Sequence, residues 1–163
     1  MLIAQLMQKM IAQSSGNIHD INHFLKVYAY AKTIGQCEGL DAQTQEILEA
    51  AAIVHDIACP LCRVKYGNTS GKNQEIESPA LVLEFLKDSG LSEKAIGRIA
   101  YLVGHHHTPS GADGMDYQIL IEADYLVNAD EGGHSKEKIQ NAMQHIFKTQ
   151  TGTILLRSIY QLS

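Results

Sequence analysis

Ala50-Ala51-Ala52-Ile53-Val54-His55-Asp56-Ile57-Ala58 runs apolar for five residues, sets a histidine beside an aspartate, and turns apolar again. A helix that is apolar on every side belongs inside a protein. An unpaired imidazole and carboxylate in such a place would be costly to desolvate, so both need partners. Two readings stand at this point. Asp56 could make a salt bridge at a capped helix end, with His55 a satisfied core histidine; or the two could be ligands.

Outward from this stretch the chain reads as helices separated by short punctuation. Leu2–Gln13 is an amphipathic run ending at Ser14-Ser15-Gly16. Ile18–Glu38 carries Ile21, Phe24, Leu25, Tyr28 and Ala31 at the helical period and stops at Gly39. Asp41 is an N-cap for a third helix, Ala42–Ala58, followed by a polar loop over Pro60–Asn73. Ser78-Pro79 reads as an N-cap and first helical residue, opening a helix that ends near Gly90. Ser92 caps the next, Thr108–Asp116 is loop, and Tyr117–Asn128 is a strongly apolar helix. Ser135 starts another and a last short one follows Gly152. The expected fold is all-α, about seven or eight helices in one domain spanning residues 1–163.

Composition narrows the classes. The 163 residues are 45% hydrophobic and 19% charged, which fits one globular core and excludes a disordered chain. Eighteen acidic against thirteen basic side chains give a net charge of −5, so no basic stripe for nucleic acid is expected. No apolar run approaches the ~18 residues of a membrane span. Three cysteines, Cys37, Cys59 and Cys62, cannot all pair, which fits a reducing compartment. Met1–Gln13 lacks a continuous apolar stretch and a cleavage site, so it reads as no secretory signal. The expectation is a cytoplasmic protein, with the apolar first helix a candidate dimer surface.

Two more ionisable residues occupy apolar faces. Asp124 has Leu120, Ile121 and Val127 as its helical neighbours, while Glu122 points elsewhere, toward solvent. His23 heads a stripe of Val27, Tyr30 and Ile34. His19, one turn earlier, could share that face. A lone histidine of this kind is ordinary core furniture. Three helices each turning a nitrogen or carboxylate inward point instead to a cation, which compensates buried carboxylates well. Imidazole with carboxylate suits Mn, Fe, Co, Ni or Zn, with Mg a further candidate.

His19-Asp20-Ile21-Asn22-His23, Ile53-Val54-His55-Asp56-Ile57 and Glu122-Ala123-Asp124-Tyr125-Leu126 resemble, in this order, the motif of the HD-domain superfamily. The resemblance covers roughly residues 18–128, with the C-terminal helices of 134–163 outside it. It implies an α-helical metal-dependent phosphohydrolase with His23, His55, Asp56 and Asp124 as metal ligands. Asp56 would also orient or deprotonate the attacking water. Gly104-His105-His106-His107-Thr108 resembles the His-His pair of two-metal members, so His105 and His106 would face the phosphate and donate hydrogen bonds or a proton. His107 reads as a helix-end residue, and His134 and His145 as surface residues. The histidine those members carry before the intervening helix is missing here, where Gln74, Glu75 and Glu77 stand instead.

The implied substrate is a phosphate ester, a nucleotide or related small metabolite, cleaved as a phosphomonoesterase or phosphodiesterase. Arg63, Lys65 and Lys72 are candidate phosphate holders, and the loop Pro109–Asp116 a candidate cover over the site. Two rival readings are a di-iron oxygenase on the same fold and a non-catalytic nucleotide sensor. Cys59-Pro60-Leu61-Cys62 lacks the second pair that a structural zinc needs, and reads as two ordinary thiols. Gly67–Asn73 is one residue short of a P-loop.

Overall fold

The computed structural model describes residues 2–162. Met1 and Ser163, the two ends of the predicted 1–163 domain, lie outside the described residues. Those residues form nine α-helices and one 3-10 turn, with no strand. In order they are α1 (Leu2–Gln13), α2 (Ile18–Cys37), α3 (Ala42–Val54), α4 (Cys59–Tyr66), α5 (Gly71–Leu86) and α6 (Glu93–Val103). The 3-10 turn Pro109–Gly111 follows, then α7 (Met115–Glu131), α8 (Lys136–His145) and α9 (Gln150–Tyr160).

The expected all-α architecture is what the chain adopts, and its caps explain where most helices start. Asn17, Asp41, Ser70, Ser92, Ser135 and Thr149 each accept a backbone N–H of the helix they precede. α2, α3 and α7 pack on one another, with α6 against α3, α5 against α6, and α9 against α7. Phe24, Val27 and Ile34, Leu48 and Ile53, and Ile119, Leu120 and Leu126 fill the space between them. α1 lies against α3 and buries Leu6 and Met10, so part of the face expected to serve a dimer packs inside the chain.

Several predicted boundaries are displaced, that of the last helix among them, which starts at Gln150 ahead of Gly152. The loop expected over Pro60–Asn73 contains α4, a helix with Pro60 in its first turn, where its missing N–H breaks no bond. Only Cys59 and Cys62 of its residues are buried, too few to print a helical period on the sequence. α4 ends at Gly67, which takes the left-handed conformation. The next helix opens at Gly71 behind the Ser70 cap, leaving Ser78 and Pro79 in its interior. The first two turns of α5 bury Gln74 and Ser78, polar residues that give no apolar pattern, and the apolar Val82, Phe85 and Leu86 follow only later.

The third helix stops at Val54, short of the predicted Ala58. Residues 55–58 form a tight turn, with N–H of Ile57 on the Val54 carbonyl and N–H of Cys59 on that of Asp56. Adjacent residues of a regular helix diverge by about 100°. Breaking the helix here lets His55 and Asp56 face the same point.

Candidate metal centre

That point lies where α2, the turn after α3, and α7 meet. His23 Nε2 sits 3.1 Å from His55 Nε2, 3.4 Å from Asp56 Oδ2 and 3.3 Å from Asp124 Oδ1. His55 Nε2 is 3.6 Å from Asp56 Oδ2 and 3.4 Å from Asp124 Oδ1. A cation with bonds of about 2.1 Å has neighbouring ligands roughly 3.0 to 3.4 Å apart, octahedral to tetrahedral. The two imidazole nitrogens thus stand at, or within a few tenths of an ångström of, that spacing from each other and from both carboxylates.

The protons are arranged for the same purpose. A carbonyl can only accept, so His55 Nδ1 donates to the Ala52 carbonyl at 2.9 Å and keeps its Nε2 lone pair. His23 Nδ1 donates to Glu131 Oε2 at 2.8 Å, which frees its Nε2 likewise. Such outer partners fix the tautomer and raise the basicity of a metal-binding imidazole. His23, His55 and Asp124 form one group that could hold a divalent cation, and His55, Asp56 and His106 form a second that shares His55 with it.

Glu131 had gone unnoticed in the sequence. It also accepts from Lys26 Nζ at 2.7 Å, and these two partners outweigh its burial and hold its carboxyl below the usual range. The signal was available: Asp124, Asn128 and Glu131 recur at i, i+4 and i+7, one face of α7, and all three line the same cavity. Glu131→Gln is expected to weaken metal affinity about 10–100-fold while leaving the helical content unchanged, as isothermal titration with the metal would show. Unchanged affinity would remove Glu131 from the site.

The third buried histidine behaves differently. His106 Nδ1 donates to the Val103 carbonyl at 2.8 Å, and its Nε2, 3.8 Å from Asp56 Oδ1, has no hydrogen-bond partner. Burial, with His107 and His55 beside it, pushes its pKa down to about 4. His106 is therefore neutral at pH 7 and has no proton to give from Nε2, contrary to the role expected of it.

His105 does not reach the site. It is exposed, stacks on Tyr101 at 4.3 Å, and donates from Nδ1 to the Tyr101 carbonyl. Three consecutive residues leaving a helix end diverge, so only one of them can point into the core. His107, read as a helix-end residue, instead lines the cavity and packs on Gly71, where a Cβ would fall 2.8 Å from its ring.

The cavity has a volume of about 270 Å³ and is walled by Asp56, Asp124, Cys59, Gln74 and Thr69, with His19 and Arg63 at its mouth. Of the expected phosphate holders only Arg63 is there. Lys65 pairs with Glu77 at 2.6 Å, which turns that carboxylate away from the site, and Lys72 is exposed. Glu75 accepts from Thr108 Oγ1. Burial and the neighbouring Asp56 push the Cys59 thiol up, so it is no nucleophile. The loop expected to cover the site is pinned elsewhere: Arg98 binds Asp113 and Asp116 through four hydrogen bonds of 2.7–2.9 Å, and none of its residues lines the cavity.

The metal-free cluster has a pH signature. Burial lowers the His55 pKa, but Asp56 and Asp124 outweigh it and hold it up to about 9; His23 is raised in the same way. Asp124, buried but paired with both imidazoles, stays well below 3.8. Raised histidines stabilise the fold fully below about 6.5, and that contribution is lost as pH climbs through 9. His106, being depressed, costs stability as pH falls from about 6.5 toward 4. Thermal melts in chelator are expected to peak near pH 6.5 and decline on both sides. Metal replaces the protons on His23 and His55, so loading is expected to abolish the alkaline decline; a metal-free protein equally stable at pH 6.5 and 9 would contradict this.

Comparison with known proteins gives the following. Residues 20–144 match the family model described as HD domain. No curated protein matches the chain. Among solved structures, the chain is similar to one described as a predicted HD superfamily hydrolase from an uncultured Thermotogales bacterium, with 19% identity and a TM-score of 0.66. The match covers 98% of this chain and 83% of that one, and at such identity it shows a shared fold.

Proposed function

This chain belongs to the HD-domain family, and from that premise we propose that it is a metal-dependent phosphohydrolase acting on a small phosphate ester, a nucleotide or related metabolite. The observation that carries the reading is the pair His23 Nε2 and His55 Nε2, 3.1 Å apart and each 3.3–3.6 Å from Asp56 Oδ2 and from Asp124 Oδ1, beside a cavity that His23, Asp56 and Asp124 line. The cation is a divalent metal, with Mn, Fe, Co, Ni or Zn favoured by the mixed nitrogen and oxygen donors. Bound there, it supplies a Lewis acid for a phosphoryl oxygen and acidifies a water.

The chain's own groups do the rest. Asp56 is the one member of the set with a quarter of its side chain exposed, and it lines the cavity. Its Oδ2 faces the two imidazoles and its Oδ1 faces His106, so one oxygen serves the cation while the other orients water and takes its proton. His106, neutral, offers a lone pair that accepts from a water lying beside Asp56 Oδ1. His107 presents an imidazole to the cavity and takes the substrate-facing position that His105 leaves empty. The volume, at the lower end of ligand pockets, fits a small substrate better than a polymer.

The test is metal content per chain together with phosphate release from a panel of nucleotides and generic phosphate esters, for the wild type and His55→Ala. One metal per chain and His55-dependent phosphate release are expected. Two irons per chain with oxygen uptake would instead favour the oxygenase, and nucleotide binding without turnover the sensor.

A further inference from the structure

Arg63 is the sole lysine or arginine among the described residues lining the cavity, against four carboxylates, Asp20, Asp56, Asp124 and Glu131. It is already engaged. Its two terminal nitrogens meet the two oxygens of Asp20 at 2.6 and 2.7 Å, a planar bidentate pair between α4 and the first turn of α2. Asp20 has a second partner in Asn17 Nδ2 at 2.9 Å, so it would not be stranded if the guanidinium left. The Arg63 side chain is 42% exposed and free to swing.

Position makes the pair a clasp over the metal centre. Cys59 follows Asp56 through the tight turn, and Arg63 lies four residues on, about 6 Å along the same face of α4. Arg63 and the cluster residues Asp56 and Asp124 therefore line one cavity, where a phosphate can meet both. A guanidinium fork fits phosphate as well as it fits carboxylate.

We propose that Arg63 and Asp20 form a charge-selective clasp that admits dianionic phosphate, the terminal group of a phosphomonoester, and discriminates against the monoanionic phosphate of a diester. The incoming group must displace Asp20. A diester brings the same single charge that Asp20 already supplies and gains nothing by the exchange. A terminal phosphate, whose second proton leaves near pH 6, brings close to two charges at pH 8 and wins it. The surrounding carboxylates repel a dianion more than a monoanion, so the preference for a terminal phosphate comes from the exchange at Arg63. The inference rests on the phosphohydrolase reading and resolves its monoester-or-diester alternative.

Binding at pH 8 of inorganic phosphate, methyl phosphate and dimethyl phosphate to the full chain tests it, by isothermal titration with metal loaded and again after chelation. Wild type is expected to bind methyl phosphate at least tenfold tighter than dimethyl phosphate. Arg63→Ala should weaken inorganic phosphate roughly tenfold or more, and Asp20→Asn should tighten it several-fold, with metal content unchanged in both. A pair that merely staples α2 to α4 predicts no gain in Asp20→Asn. Equal or weaker phosphate binding in Asp20→Asn, or equal affinity of wild type for the two methyl esters, overturns the clasp. Should Arg63→Ala fail to fold, Asp20→Asn and Arg63→Lys carry the test. None of these titrations needs turnover: the expected pattern without hydrolysis would sink the phosphohydrolase reading and keep the clasp. Hydrolysis with phosphate affinity unmoved in both variants would do the reverse.

Discussion

Replacing His55 by alanine is expected to reduce bound metal from about one per chain to background and to abolish hydrolysis of phosphate esters. His55 is wholly buried, donates its Nδ1 proton to Ala52, and holds its Nε2 within 3.1–3.6 Å of the other three donors. Alanine removes one of the four donors and leaves His23 with the two carboxylates. Loss of an outer-shell partner typically costs 10–100-fold in affinity, so loss of a ligand should cost roughly a thousandfold or more. The metal-induced gain in stability reads this directly. At metal a hundred times the wild-type Kd it is about 2.7 kcal/mol, and for the variant it should fall close to zero. Activity should fall at least as far as occupancy, a factor of about 10³ corresponding to about 4 kcal/mol of transition-state stabilisation. Wild-type metal content and phosphate release in His55→Ala would end the metal-centre reading.

Glu122→Ala is expected to be the most destabilising single change away from the site. The sequence placed this carboxylate toward solvent; the structure buries it completely. Its Oε1 accepts the backbone N–H groups of Lys148 and Thr149 at 2.7 and 3.0 Å and Gln118 Nε2 at 2.7 Å, while Oε2 accepts the Thr149 hydroxyl. Thr149 is also the cap of α9, accepting from the Gly152 N–H at 2.9 Å. One carboxylate thus ties the α8–α9 connection to the central helix. Removing it strands two backbone donors and the Thr149 hydroxyl, each costing roughly 1–3 kcal/mol, or about 4 kcal/mol together once relaxation is allowed. For a chain of this length that lowers Tm by roughly 10 °C or more. Gly152→Ala should act in the same direction, because a Cβ there would fall inside the Glu122 carboxylate. Metal uptake by Glu122→Ala well below its melting temperature should be normal, which separates the two roles. A Tm within 2 °C of wild type would show that the buried network contributes little.

The two failures at His105 and Glu122 share a cause. A helical wheel orders the faces of one helix, but what covers each face is decided by other elements. α7 is enclosed on every side, so a residue off its apolar stripe is not thereby solvated. The helix ends show the same limit. α4 and the first two turns of α5 bury small and polar side chains, Cys62, Gln74 and Ser78, which leave no hydrophobic period to read. Glu131, by contrast, stood one regular spacing beyond Asp124 and Asn128 and was legible in principle.

By itself the sequence determined the all-helical architecture, the helix starts at Asp41, Ser92 and Ser135, and the identity of the four converging residues. Each of those rests on local chemistry: apolar period, side-chain acceptors ahead of a helix, and the cost of leaving His23, His55, Asp56 or Asp124 buried without a partner. Only the tertiary structure decided which histidine of the 105–107 triplet faces Asp56, that Glu131 orients His23, and that Asp20 already holds Arg63. Those are contacts between residues 43 to 108 positions apart in the chain, or choices among neighbours that a helix end fans apart. Their geometry is set by how α2, α4 and α7 pack, and no local preference encodes it.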